Sequence, residues 1–362
     1  SWYNLVMSNY IDERDAKYAH KLQTIIKQSL PDFCKEFFVG IAMNTTILTR
    51  YNYAIDLKLF FEFTTMYGSV FEGKTLKEIT IKDLDTVEAT DIEEFLSHID
   101  NYYNNSLNTL IRNKDSAKAR KFCAVRALFR YLYKKDKLSR NVTLKVSMPK
   151  LREKEIIRLE DDEVQNVFRS LTENDTFASD KMNAYNNNNT KIRDNALITL
   201  MLGTGIRISE CVGLNVDDIN FADNSFTVTR KGEKRSILYF NEEIAQILTS
   251  YLEHREQFLK KKQIESDDVN ALFLSLQGKR ISVRAVELLV KKYAQVSAPL
   301  KNITPHKLRS TYGTALYRAT KDIYVVAEVL GHKDINTTKK HYAAISEDIK
   351  KSAANKVVFK KE

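Results

Sequence analysis

The chain is poor in the residues that staple or interrupt a fold. Its three cysteines, Cys34, Cys123 and Cys211, are odd in number, widely separated and form no CxxC pair. Neither a disulfide framework nor a zinc site is therefore expected, and a reducing cytoplasmic setting is. Only four prolines and ten glycines occur in 362 residues, which excludes collagen-like and low-complexity chains. No stretch approaches the roughly 18 consecutive apolar residues that a bilayer span needs. The opening Ser1-Trp2-Tyr3-Asn4 lacks the basic-then-apolar pattern of a secretory leader. No phosphate-cradling Walker loop and no metal-carboxylate cluster stands out, so neither cofactor nor metal is expected, and Asp161-Asp162-Glu163 reads as an ordinary helix start.

Acidic residues are also in deficit. Lysine and arginine number 57 against 47 aspartates and glutamates, a formal charge of +10. Such a balance calls for an anionic partner, and nucleic acid fits better than a membrane. With 43% hydrophobic and 29% charged residues, the chain is long enough for two domains with cores of their own.

Periodicity predicts a mainly α protein with one small antiparallel sheet. Helical spacing runs from Asp12 to Leu30, from Thr49 to Phe63, from Ala89 to Ile99 and from Ser116 to Tyr133. In the last of these, Phe122, Val125, Phe129 and Leu132 are expected inward. Lys118, Lys121 and Arg126 are left for solvent or DNA phosphate. Residues 141–158 read as a linker that separates an N-terminal helical extension (1–44) and a helical domain (45–140) from a second domain (159–346), with 347–362 a tail helix. A helix is expected over Glu160–Leu171, and the Asn186–Asn189 run marks a polar loop over 172–190. After Asp218 the period changes to two: Asn220–Arg230 reads as strand, turn, strand, and Arg235–Phe240 as the returning strand. Lys231-Gly232-Glu233-Lys234 forms a basic hairpin tip between the last two.

The last third carries the chemistry. In Thr304-Pro305-His306-Lys307-Leu308-Arg309, Thr304 suits an N-cap and Pro305 the first helical position. That places His306 in the first turn, where backbone N–H groups favour an anion, and Arg309 on the same face. Upstream, Gly203-Thr204-Gly205-Ile206-Arg207-Ile208-Ser209-Glu210 sets Arg207 at a helix junction, with Glu210 able to orient a neighbouring cation. Gly331 is expected to cap the helix Ile323–Leu330 and turn His332 out of its path. Asn336 is expected to cap the next helix, which carries Tyr342. A phosphodiester under attack gathers negative charge on its non-bridging oxygens, and two guanidinium forks match those oxygens without a metal. Tyrosine, with an ordinary pKa near 10, needs nearby cations to attack as phenolate, and the leaving alkoxide needs a proton donor.

Taken in order, the TGxRxSE segment, the basic hairpin, HxLRxT, LGH and a tyrosine ten residues later resemble the tyrosine recombinase (phage integrase) family over nearly the whole chain. Single-component Xer recombinases and integrases of Gram-positive mobile elements are the most similar branches. The resemblance implies a two-domain architecture, with a core-binding domain and a catalytic domain on opposite sides of DNA. It implies that Arg207 and Arg309 clamp the scissile phosphate, that Tyr342 forms a 3′-phosphotyrosine, and that His306 assists proton transfer. His332 would stabilise the phosphoryl oxygens, with Lys231 as general acid and Lys234 the alternative. The implied partner is double-stranded DNA with inverted-repeat half-sites, bound by a dimer and brought into a tetrameric synapse. The apolar positions Ile349, Ala353, Val357 and Val358 of the 347–362 tail suit docking on a neighbouring protomer, with packing on its own domain the alternative. Type IB topoisomerase-like relaxation and catalytically silent DNA binding are the competing readings. Ser310 stands where the family often has histidine and Val142 where proline is common. The step from His332 to Tyr342 is one residue longer than in Xer proteins.

Overall fold

A computed structural model describes residues 10–67, 69–104, 108–150, 157–172, 188–230, 234–262 and 268–332, together with Ile335 and Thr338. Two compact units divide between Lys154 and Glu155.

The first unit contains α1 (Tyr10–Ser29), α2 (Phe33–Gly40), α3 (Ile47–Met66), the short α4 (Ile81–Asp85) and α5 (Ala89–His98). A hairpin of β1 (Asn101–Asn104) and β2 (Thr109–Arg112) follows, then α6 (Asp115–Lys134). Pro31 lies just beyond α1, and the Thr46 hydroxyl caps α3 by accepting from the Thr49 N–H at 3.3 Å. Buried Phe37, Phe60, Phe61, Phe95, Phe122 and Phe129 lie at the centre of one core that α1, α2 and α3 share with α5 and α6. Each phenylalanine removed from water contributes roughly 2–3 kcal/mol before entropy is counted. Val142 and Val146 join the same core, with a 3₁₀ turn at Val142–Leu144.

The cations expected along the rim of α6 are held more closely than periodicity implied. Lys121 is 7% exposed, its ammonium lies 3.3 Å from Asn113 Oδ1, and burial lowers its pKa. Lys118 pairs with Asp100 at 2.6 Å and Asp115 at 3.2 Å. The Arg126 guanidinium lies 5.7 Å from the centre of the Phe122 ring. The solvent line of this helix runs instead through Arg120, Cys123, Arg130 and Lys134. A 3.6-residue period gives the width of an apolar face but not the partners beside it, and here Asn113 and the Asp56 carboxylate offer polar partners to a buried Lys121. The β1–β2 hairpin was not anticipated, because its tyrosines and asparagines show no sustained alternation.

The second unit opens with α7 (Asp161–Thr172), whose first turn is three acids, as a helix N-terminus favours. Next comes α8 (Asn188–Thr204), which begins within the expected polar loop: Thr190, at the end of that loop, and Lys191 just after it are buried. Ala196, Leu197, Ile198, Leu200 and Met201 make α8 apolar on every side, and α7, α10 and α12 pack around it. After α9 (Ile208–Gly213), an antiparallel sheet of order β3–β4–β5 is built from Ile219–Asn220, Ser225–Arg230 and Lys234–Tyr239. Its register pairs Val228 with Ser236 and Arg230 with Lys234. The remaining helices are α10 (Glu242–Lys262), α11 (Val283–Ser297), α12 (Pro305–Thr320) and α13 (Ile323–Leu330). Among the described residues no helix is long and apolar enough to cross a membrane.

Candidate active site

Three arginines converge on the end of α13. That helix is capped at its start by Asp322, whose carboxylate accepts from the Tyr324 N–H at 2.7 Å. It ends at Gly331 in the left-handed region, φ 60°. The Gly331 N–H reaches Glu328 O at 2.9 Å and the His332 N–H reaches Ala327 O at 2.9 Å, the paired bonds of a Schellman turn. Even so, a helix end leaves carbonyls without intrahelical donors. Arginines take them: Arg230 donates to Val329 O at 2.8 Å and shares Glu328 O, at 3.4 Å, with the Gly331 N–H, Arg309 donates to Leu330 O, and Arg207 donates to Gly331 O at 3.0 Å. Four consecutive carbonyls at the negative end of a helix thus hold three guanidinium groups.

Each arginine reaches this point from a different element. Arg309 stands in α12 one turn after His306, is 4% exposed, and donates its second arm to Gly205 O. Pro305 occupies the first turn of α12 as expected, whereas the Thr304 hydroxyl makes no capping bond. His306 is exposed at that helix start. Arg207 precedes α9 in extended conformation, its N–H donating to Glu210 Oε2 at 3.0 Å and its guanidinium to Glu210 Oε1 at 2.8 Å. Glu210 is thereby the orienting carboxylate, only 5% exposed, while 37% of the Arg207 side chain remains open to solvent. The Gly205 turn that separates α8 from Arg207 has φ 62°, conformational space that glycine enters freely.

His332 follows Gly331 directly, and its Nδ1 lies 2.8 Å from the hydroxyl of the fully buried Thr338, which holds the ring. Arg207, Arg309, Glu210 and His332 are therefore gathered at the end of α13, with His306 on the helix that carries Arg309. Lys231 and Tyr342 lie outside the described residues, as do Asn336 and the 347–362 tail; Lys234 opens β5. Among the described tyrosines, Tyr312 stands beside Gly205, and burial raises its pKa, which opposes formation of a phenolate there. Among the described residues no three His, Cys, Asp or Glu side chains gather as a metal site would require. The positive field comes from guanidinium groups with one buried carboxylate between them.

Two members were missed by sequence reasoning. Arg230 differs from its basic neighbours in no readable way, since its partners lie 98 and 99 residues onward. Thr338 lies six residues after His332, a spacing without a signature of its own.

The profile of the phage integrase family matches residues 169–348. A tyrosine recombinase XerC from Caldanaerobacter subterraneus is 34% identical over 310 residues, covering 84% of this chain and 80% of its own length. A tyrosine recombinase XerS from Streptococcus pneumoniae is 29% identical, covering 91% and 96%. Among solved structures, XerH recombinase in a post-cleavage complex with palindromic difH substrate superposes with a TM-score of 0.66 at 20% identity, over 94% of this chain and 89% of that one. The Tn1549 transposon integrase on transposon right-end DNA gives 0.58 at 18% identity, over 85% and 94%. At such identities the superpositions speak for the fold. The sequence match to XerC, spanning most of both chains, places this chain in the tyrosine recombinase (phage integrase) family, as a DNA breaking and rejoining enzyme of site-specific recombination.

Proposed function

We propose that the guanidinium groups gathered at the end of α13 form the clamp for the scissile phosphate and that Tyr342 attacks it. Arg207, open to solvent, meets the non-bridging oxygens first, and Arg309, buried behind it, supplies a second fork. Tyr342 gives up its hydroxyl proton, with His306 assisting, and its oxygen bonds to phosphorus. The bond from phosphorus to the 5′ oxygen breaks, and that oxygen leaves as a hydroxyl after taking a proton from Lys231, with Lys234 the alternative donor. His332, its ring held by Thr338, stabilises the charge on the phosphoryl oxygens. The product is a 3′-phosphotyrosine, which keeps the bond energy, so attack by another 5′ hydroxyl reseals DNA without a nucleotide cofactor.

On this reading the second unit is catalytic, and the first is a core-binding domain that grips the DNA backbone through exposed cations such as Arg120, Arg130 and Lys134. Two protomers occupy inverted half-sites of a duplex and four make the synapse, with the 347–362 tail seated on a neighbouring protomer. The setting is bacterial cytoplasm, and the task is integration and excision of a mobile element or Xer-type resolution. The observation that carries the reading is the meeting of Arg207 and Arg309, 102 positions apart in sequence, on the adjacent carbonyls of Gly331 and Leu330 beside His332. A nicked suicide duplex tests it: the parent protein should accumulate a covalent DNA adduct and Tyr342→Phe none. Adduct formed by the Phe variant would reassign the nucleophile.

A further inference from the structure

Arg230 ends β4 and has no part in the reaction as described so far. Its side chain is 14% exposed, and it reaches across the sequence to Glu328 O and Val329 O, the two carbonyls just before those held by Arg309 and Arg207. Its Nε is buried without a hydrogen-bond partner, 3.9 Å from Glu210 Oε1. Burial lowers its pKa, the Glu210 carboxylate opposes that, and Arg207 adds to it.

The fit against Gly331 is close. A methyl group at position 331 would lie 2.1 Å from Arg230 Nη1 and 2.6 Å from its Cζ, so the guanidinium occupies the space that any other residue there would fill. The glycine of the LGH segment thus meets two demands, a left-handed backbone and a guanidinium pressed beneath it. Because the next residue is His332, whatever sets the height of this turn sets His332 as well.

We propose that Arg230 is a positioning residue for DNA cleavage, fixing the turn that presents His332 to the scissile phosphate. On this reading Arg230 acts through the turn and not through DNA; its two arms lie on carbonyls of α13 and its Nε is buried. The proposal rests on the role given above to His332. Small displacements of a preorganised group cost rate far more than affinity, about tenfold to a hundredfold for shifts near 1 Å.

The test is a mutant cycle in the full chain: Arg230→Ala, His332→Ala and the double variant, each assayed for single-turnover cleavage of the nicked duplex, for affinity on one binding site, and for melting temperature. Arg230→Ala should bind DNA within about twofold of the parent and cleave about tenfold to a hundredfold more slowly. The double variant should be slower than His332→Ala by no more than about threefold, because both changes act through one group. Arg230→Lys, able to reach one carbonyl with a single ammonium, should fall between parent and Ala; if the Ala protein unfolds, Lys and Gln variants carry the cycle. Multiplied losses in the double variant, an equal loss of binding and cleavage, or parental cleavage by Arg230→Ala would each overturn the proposal. A His332→Ala protein that cleaves at the parental rate would instead refute the role of His332, and the positioning role with it.

Discussion

Two glycines of one short segment, Gly203 and Gly205, should respond oppositely to the same methyl group. At Gly205 the backbone has φ 62°, and an added Cβ would lie 2.4 Å from Tyr312 Cδ1 and 2.9 Å from Leu330 Cδ2. An L-residue in the left-handed region costs about 1–2 kcal/mol, and overpacking a close-packed site costs roughly 1–3 kcal/mol. Gly205→Ala should therefore destabilise the second unit by about 2–5 kcal/mol, which for a domain near 200 residues lowers the melting temperature by roughly 5–15 °C. The same push moves Gly205 O, an anchor of Arg309, so cleavage of the suicide duplex should fall at least about tenfold at a temperature where the variant is folded. Gly203 lies inside α8, and its added Cβ would meet only the tip of Ile244, Cδ1 at 2.3 Å. That tip turns aside by a rotamer change, and alanine gains up to about 1 kcal/mol over glycine within a helix. Gly203→Ala should thus lie within about 1 kcal/mol of the parent and cleave normally. Differential scanning fluorimetry with cleavage kinetics on both variants decides the matter. Equal destabilisation by the two changes would refute the assignment of Gly205 as the residue that shapes the clamp.

Arg207→Ala and Arg309→Ala should each lower single-turnover cleavage about a hundredfold or more with little change in DNA affinity, the signature of a donor that acts on the transition state; equal losses in both would make them ordinary backbone contacts. Lys231→Ala should be rescued by a 5′-bridging phosphorothioate, whose sulfur leaves without a proton, and rescue of Lys234→Ala alone would move the general acid to Lys234. Asp56 is fully buried against Arg120, with Oδ1 lacking a hydrogen-bond partner, and burial raises its pKa from 3.8 to about 6 despite that arginine. A carboxyl group raised in the folded chain stabilises below its unfolded pKa, and that contribution is lost as pH climbs through about 6, in total about 3 kcal/mol. Asp56→Asn should accordingly be more stable than the parent at pH 8 and lose the advantage near pH 4, as read from denaturant unfolding at the two pH values; an Asn variant weaker at pH 8 would mean that the Arg120 pair outweighs burial.

Much of this protein is legible in one dimension. Apolar residues at helical spacing marked α1, α3, α5, α6 and α7, because a helix that must bury one face writes its period into the chain. The switch to period two marked β4 and β5, and the glycines that end α8 and α13 marked the turns that carry Arg207 and His332, since left-handed backbone selects for glycine. Local rules also set Glu210 beside Arg207, three residues away along a helix start. Distance in sequence is what hid the rest. That Arg207, Arg230 and Arg309 share one helix end depends on α12, β4 and the α8–α9 junction packing around α13, and no periodicity encodes which carbonyls a guanidinium will meet. The burial of Lys121 depends on Asn113 and Asp56, which lie off its helix, and that of Thr190 and Lys191 goes with a helix that starts inside a polar run, neither of which a period encodes. Chemistry was written in the residue types; their convergence on the carbonyls of Glu328 to Gly331 came from tertiary packing, because only the folded chain brings Arg207 and Arg230, 98 to 124 residues from their partners, to the point that Arg309 reaches from 21 residues away.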